Sequence, residues 1–335
     1  MRERNYSPMS QVCSVLCLLL FSLLSYATEM KAQEQLLVVR KDGQEIRVPT
    51  SQIDSITFVR RASAKPSKPS KPKSKLAIEY LAQYNMGSES SFATTHRNDA
   101  SKYFSYQDAC DRFATIEMEG SGWHLPSVEE WRGIIPSNES GEPISFAYAQ
   151  GQYNVAEAIE VGGLRRSYLA DYNSVNATIC YALKFKSSDK EVSPDYPSAT
   201  DNEMLCAYRY ELVGDFKKAN NPDSYLLISV CYLGATFTGG IHTISSEQWW
   251  TNYKQLHPDL YFERRLPASG WYKTAVQEGQ KDEVVSVGTG GRYWSSSTVS
   301  GGTEYAWALS YYATKLRLLP IHVSYRYAVR LFSDK

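Results

Sequence analysis

The hydrophobic pattern changes period several times along the chain, and each change marks a different element. Val15 to Leu24 is an unbroken apolar run behind Arg2 and Arg4, the pattern of a secretory signal peptide and too short to span a bilayer. Residues 1–32 are therefore read as a leader, with Ser25-Tyr26-Ala27 and Ala32 ahead of Gln33 as alternative cleavage positions, the second favoured. Cys13 and Cys17 lie in or before the run with no lipobox around them, which disfavours a lipid anchor. In residues 33–60, Leu36 to Arg40, the Asp42-Gly43 turn, Glu45 to Pro49 and Ile53 to Val59 predict two or three strands. So few strands make no stable core alone, and this small β unit is expected to pair with another chain, another strand or the main domain. Residues 61–75 repeat Lys, Pro and Ser, the composition of an extended, semi-rigid linker. Its basic residues leave open a tether to an anionic surface.

The main domain runs from 76 to 335. Ser105 and Asp108 form a capping pair and Ala109, Phe113 and Ile116 share one face, predicting a helix from Tyr106 to about Ile116. Ser127 and Glu130 form a second capping box, and the short helix behind it buries Trp131 and passes Ile134 and Ile135 before Pro136 stops it. Residues 178–185, 224–237 and 304–312 read as strands. Two early helices followed by a long strand-rich region define an α+β fold class.

Composition narrows the function classes. Aromatic residues make up 13% of the 335, including 25 Tyr and 7 Trp, against 21% charged, which excludes a disordered chain. Net charge is zero overall, but from Leu76 onward 23 Lys and Arg face 30 Asp and Glu. Such a domain lacks the clustered basic face that a phosphate backbone needs, so nucleic acid is excluded as a partner. Cys110, Cys180, Cys206 and Cys231 follow the leader. In an oxidising compartment they allow disulfides in three connectivities, and buried free thiols are the open alternative. His96, His124, His242, His257 and His322 have no metal-site spacing, so neither a metal nor another cofactor is expected.

Three segments then fall in a known order. The first is Tyr103 to Ala109 followed by Gly122-Trp-His-Leu-Pro-Ser-Val-Glu-Glu-Trp131. The second is Leu266-Pro-Ala-Ser-Gly-Trp-Tyr272 with Val287 to Ser297, and the third is Tyr305-Ala-Trp-Ala-Leu leading to Tyr325-Arg-Tyr-Ala-Val-Arg-Leu331. Together they resemble the Fibrobacter succinogenes major paralogous domain, a C-type-lectin-like domain of Bacteroidetes surface proteins. The resemblance implies a C-type-lectin-like domain with two short helices and a mostly antiparallel twisted sheet, preceded by the small β unit. Trp123, Trp131, Trp294, Trp307 and Arg330 would be its structural motif residues. His124 stands where the family usually has Arg, and residues from about 139 to 260 form a longer insertion than the family usually has.

A surface setting, exported to the cell surface or secreted, follows from the leader and the resemblance. Calcium lectins coordinate metal and sugar through Glu-Pro-Asn and Trp-Asn-Asp motifs, and Glu142-Pro143-Ile144 lacks the amide. Ser295 to Ser297 has no nucleophile elbow around it, so no catalytic residue is expected. The expected function is a non-enzymatic binding module recognising glycan or protein, with Trp249, Trp250 and Tyr253 as the ligand-binding candidates. The alternatives are a structural or accessory subunit of a fimbrial or surface assembly, joined through residues 33–60, and an enzyme of the formylglycine-generating type. That enzyme would need closely spaced cysteines, which Cys206 and Cys231 do not supply.

Overall fold

The computed structural model describes the backbone of residues 35–39 and 45–49, Pro72, and residues 74–135, 144–146, 151–274, 281–300 and 302–334. The leader, the strand expected at Ile53 to Val59, most of the linker and the Glu142-Pro143 pair lie outside the described residues. The chain divides into two compact units, Met1–Pro66 and Ser67–Lys335. In the first, β1 (Gln35–Val39) and β2 (Glu45–Pro49) form an antiparallel hairpin with Leu37 opposite Arg47.

The second unit opens with helix α1 (Ala77–Tyr80), β3 (Tyr103–Ser105), helix α2 (Tyr106–Phe113), β4 (Ile116–Met118), β5 (Ser121–His124) and helix α3 (Val128–Arg132). After β6 (Ile144–Ser145) come β7 (Gly151–Val161), β8 (Leu164–Ser174), β9 (Ile179–Lys186), β10 (Cys206–Val213) and β11 (Tyr225–Tyr232). Helices α4 (Ile241–Ile244) and α5 (Glu247–Leu256) precede β12 (Tyr261–Pro267). The rest is β13 (Trp271–Lys273), β14 (Glu283–Val285), β15 (Gly290–Thr298), β16 (Tyr305–Tyr312), β17 (Lys315–His322), β18 (Arg326–Ala328) and β19 (Phe332–Ser333).

Strands β7 to β12 form a six-stranded antiparallel meander in which sequence neighbours are sheet neighbours. A second sheet has the order β14-β13-β18-β15-β16-β17-β6, with β3 beside β18 and a parallel contact between β15 and β18. The third sheet, β19-β5-β4, brings the end of the domain against its beginning. The fold is thus mostly antiparallel β with a few short helices, compatible with the α+β class.

Local chemistry accounts for the element ends. Ser105 Oγ accepts from Asp108 N at 3.1 Å, and Ser127 and Glu130 cap each other reciprocally at 3.1 and 2.9 Å. The first helix stops at Phe113, and Ile116, expected on its face, instead opens β4. Gly162 and Gly163 both take positive φ, at 60° and 79°, and close β7 onto β8 in a two-residue turn that such backbone angles require.

At β9 the six-stranded sheet is covered on both sides, so that strand reads as a nearly continuous buried run. On its inner face it terminates α3. Lys184 Nζ donates to Arg132 O at 3.1 Å, Tyr208 OH to Gly133 O at 3.2 Å and Tyr210 OH to Ile134 O at 2.6 Å. These are carbonyls that a helix end leaves without intrahelical donors. Lys184 is itself fully buried 3.3 Å from Glu157, which accepts from Tyr172 OH at 2.6 Å. Burial lowers the Lys184 ammonium pKa and Glu157 opposes that shift.

Trp131 and Trp294 are fully buried, while Trp123 and Trp307 are half-buried. Trp131 Nε1 donates to Trp294 O, Trp294 Nε1 to Phe104 O and Trp123 Nε1 to Met118 O, at 3.3, 2.9 and 3.1 Å. Arg330 is wholly buried. Its guanidinium donates to Asn85 Oδ1 at 2.6 Å, Ala82 O at 2.9 Å, Arg265 O at 2.7 Å and Gln83 O. Burial pulls its pKa down to about 10. Replacing Arg330 with Met would leave four acceptors without a donor at roughly 1–3 kcal/mol each, so a loss above about 3 kcal/mol is expected. Urea unfolding of the purified chain reads it, and a change below about 1 kcal/mol would show that the network is not needed.

Candidate functional site

Helix α5 starts at Ser246, whose Oγ accepts from Trp249 N at 3.3 Å. Glu247, Trp250, Thr251 and Lys254 then recur at helical spacing and turn toward the outer face of the six-stranded sheet. Trp250 is buried, stacked on Tyr181 with centroids 6.2 Å apart, and donates Nε1 to Ile244 O at 2.8 Å. Tyr253 is also buried, and its hydroxyl donates to Tyr232 O. Trp249 is half-buried and stacks on Tyr253 at 5.1 Å. The expectation of a three-ring ligand platform therefore needs correcting. Trp250 and Tyr253 fasten the helix to the sheet, and only Trp249 keeps ring surface in solvent.

Beside them the sheet face is polar. Directly opposed residues of antiparallel strands share a face. The register sets Arg209, Ser229 and Glu263 in one row across β10, β11 and β12, and Glu211, Leu227 and Arg265 in the next. Helix α5 forms one wall, and the groove between holds about 420 Å³. Of the three cations that line it, Arg209 and Lys254 meet carboxylates, while Arg265 lies over the Tyr225 ring at 5.2 Å from its centroid. Arg209 meets Glu211 at 2.8 Å and Glu247 at 2.5 Å, and Lys254 meets Glu263 at 3.3 Å while lying over the Tyr261 ring at 4.5 Å. Tyr261 OH donates to Glu263 at 2.8 Å, and Arg209 Nε is buried with no acceptor among the described residues. Burial, with Glu247 adding to it, raises the Glu211 pKa against the pull of Arg209. Burial also works against the Glu263 carboxylate, but Tyr261 and Lys254 outweigh it and hold its pKa below the usual range.

These groove residues were not singled out in the sequence. Their signal was there: Arg209 and Glu211 in β10, and Glu263 and Arg265 in β12, are charged at alternate positions of strands whose other positions are largely apolar.

All four described cysteines are free thiols, so the disulfide alternative is not what the structure shows. Cys206 lies opposite Tyr232 and Cys231 opposite Ala207, which places these two on opposite faces of adjacent strands. Cys180 shares the Cys206 face but pairs with Tyr210, four residues along β10. Cys110 is half-buried on α2. Burial raises all four thiol pKa values, that of Cys180 to about 12, so none is a ready nucleophile. No group of three or more His, Cys, Asp or Glu among the described residues could hold a metal ion. No described helix is long and apolar enough to cross a membrane.

A second polar cluster joins β5, β19 and α3. His124 contacts Asp334 Oδ1 at 2.6 Å and Glu130 Oε1 at 2.9 Å. The Glu130 carboxylate, with Asp334 behind it, raises the His124 pKa against burial. Burial would raise Glu130, but His124 and the Ser127 cap prevail and lower it.

A mostly antiparallel β domain with a few short helices, carrying a groove of mixed charge on the outer face of one sheet, is the class that fold and site define. The chain belongs to the domain-of-unknown-function family DUF8237, whose model matches residues 73–332. That span includes residues 139–260, expected from the sequence to be an insertion. No curated protein and no solved structure matches the chain.

Two outcomes follow. Trp250→Ala is expected to cost about 3–5 kcal/mol and Trp249→Ala less than half of that, read by chemical denaturation; equal small losses would mean that α5 is not seated on Trp250. For His124 the folded pKa is raised, so its contribution is full below about 6.5 and is lost as pH rises through the folded value. Glu130 is lowered, so its part is present above about 4.3 and fades only in stronger acid. The Tm gap between the wild type and His124→Gln should be widest near about pH 5–6 and narrow toward alkaline pH. A gap flat from acid to alkali would contradict the arrangement.

Proposed function

We propose that the chain is an exported, non-enzymatic binding module of C-type-lectin-like class that takes a neutral, hydroxyl-rich glycan in the groove under α5. One observation carries the reading: Arg209 and Lys254 already meet carboxylates there, and three cations beside three carboxylates leave the groove with paired donors and acceptors and little net charge. A sugar hydroxyl donates and accepts at once, and a wall that alternates Arg, Ser and Glu suits it without metal. The resemblance to the major paralogous domain is supported by the packing of its segments. Trp131 bonds to Trp294 O, and Arg330 reaches Arg265 O beside the Leu266–Tyr272 segment. The leader read in residues 1–32 supports a setting at the cell surface or outside the cell.

A second reading, an accessory subunit of a surface assembly, is favoured by the β1–β2 hairpin. Two strands are too few to be stable alone, and strand addition to a neighbour would complete them.

A glycan array probed with the purified chain, with and without chelator, tests the first reading. Binding of neutral glycans is expected, indifferent to chelator and reduced about tenfold or more by Glu263→Gln or Arg209→Gln, as for loss of a hydrogen bond to a charged group. A blank array, or binding that neither variant changes, would move the reading to the assembly subunit.

A further inference from the structure

The second sheet carries a row of cations that the groove does not involve. Arg292 on β15 lies opposite Ser310 on β16, and Ser310 lies opposite Arg317 on β17. All three therefore share a face, with the two arginine strands about 10 Å apart. Lys315, two residues before Arg317, is on that face as well, opposite Tyr312. Arg292, Arg317 and Lys315 are half-exposed, and Ser310 forms the buried floor between the arginines.

What separates this row from the groove is the absence of counter-charge. Among the described residues no carboxylate pairs with Arg292, Lys315 or Arg317, and the Nε of each arginine is buried without an acceptor. Arg292 is nonetheless held in place. Its guanidinium lies 3.6 Å from the centroid of the Trp271 ring and donates to Tyr327 OH at 3.0 Å. A guanidinium fixed by stacking keeps a planar fork of donors for an oxyanion and loses little side-chain freedom in binding one.

We propose that Arg292, Ser310 and Arg317, with Lys315 beside them, bind an oxyanion of an acidic polysaccharide, either a carboxylate or a sulfate. An oxyanion over the Ser310 position lies between the strands that carry the two arginines. The row is small within a domain where 23 Lys and Arg face 30 Asp and Glu. A densely charged polyphosphate meets repulsion around it, whereas a saccharide with spaced acidic groups is tolerated. This site is independent of the groove reading.

Calorimetric titration of the full chain with four probes tests it: a sulfated oligosaccharide, an oligogalacturonate carrying carboxylates only, a neutral dextran and polyphosphate. One or both acidic saccharides should bind, the stronger of them identifying the oxyanion. Affinity should fall with salt and drop about tenfold or more in Arg317→Gln and further in Arg317→Gln with Lys315→Gln. Lys190→Gln, at an exposed position between β9 and β10, should leave it unchanged. Arg292→Lys, which keeps the charge but loses the planar fork, serves as a second variant with its Tm recorded, and should weaken binding while remaining folded. The proposal is overturned if neither acidic saccharide binds, if the Arg317 and Lys315 variants bind as the wild type does, or if polyphosphate binds more tightly than both.

Discussion

The unit from Ser67 onward is organised around a positive charge that no carboxylate among the described residues neutralises. Arg330 sits at zero exposure, yet its guanidinium is answered by Asn85 and the carbonyls of Ala82, Gln83 and Arg265. Those acceptors come from the entry segment of the domain and the edge strand of the six-stranded sheet, while Arg330 belongs to its exit. A Lys could not span them, because an ammonium is a point charge and the guanidinium is a planar fork of five donors. The segment after Arg265 is treated the same way. Tyr311 OH donates to Leu266 O, Tyr293 OH to Pro267 O and Tyr103 OH to Ser269 O. A crossing between two sheets would otherwise bury unpaired carbonyls, and here each is met by a side chain from another element.

This explains which parts of the fold were legible. Helix starts at Ser105 and Ser127 could be read because a cap is settled by residues three apart. The strands at Ile179–Lys186, Tyr225–Tyr232 and Tyr305–Tyr312 were visible as apolar runs. The hairpin β7–β8 was not, although Gly162-Gly163 is a strong turn signal. Its inner face carries Glu157, paired with Lys184 on β9, and a charge facing inward breaks the alternation that marks a strand.

The site was harder for a related reason. Trp249, Trp250 and Tyr253 mark a helix rich in rings, but the sequence does not say which side meets the sheet. Glu247 and Lys254 flank Trp250 on the groove side, so the ring that looked like a ligand platform became the anchor that positions two charges. The groove itself is assembled from β10, β11, β12 and α5, which the sequence spreads from Cys206 to Pro267. Its charges are visible one by one and its compensation only in register.

The two sheets thus present opposite electrostatic characters from similar residues. Under α5 Arg209 and Lys254 are answered by carboxylates, so a ligand there gains from directional hydrogen bonds, and ionic strength should matter little because those charges are already mutually screened at contact distance. Across β15, β16 and β17 the arginines keep their charge unspent, and an interaction there is strong at low salt and fades as salt rises. An acidic glycan could use both surfaces only by placing uncharged rings in the groove and an acidic ring on the strands. Salt dependence therefore separates the two surfaces even where one ligand touches both: the slope belongs to the strand row, and the salt-independent remainder to the groove.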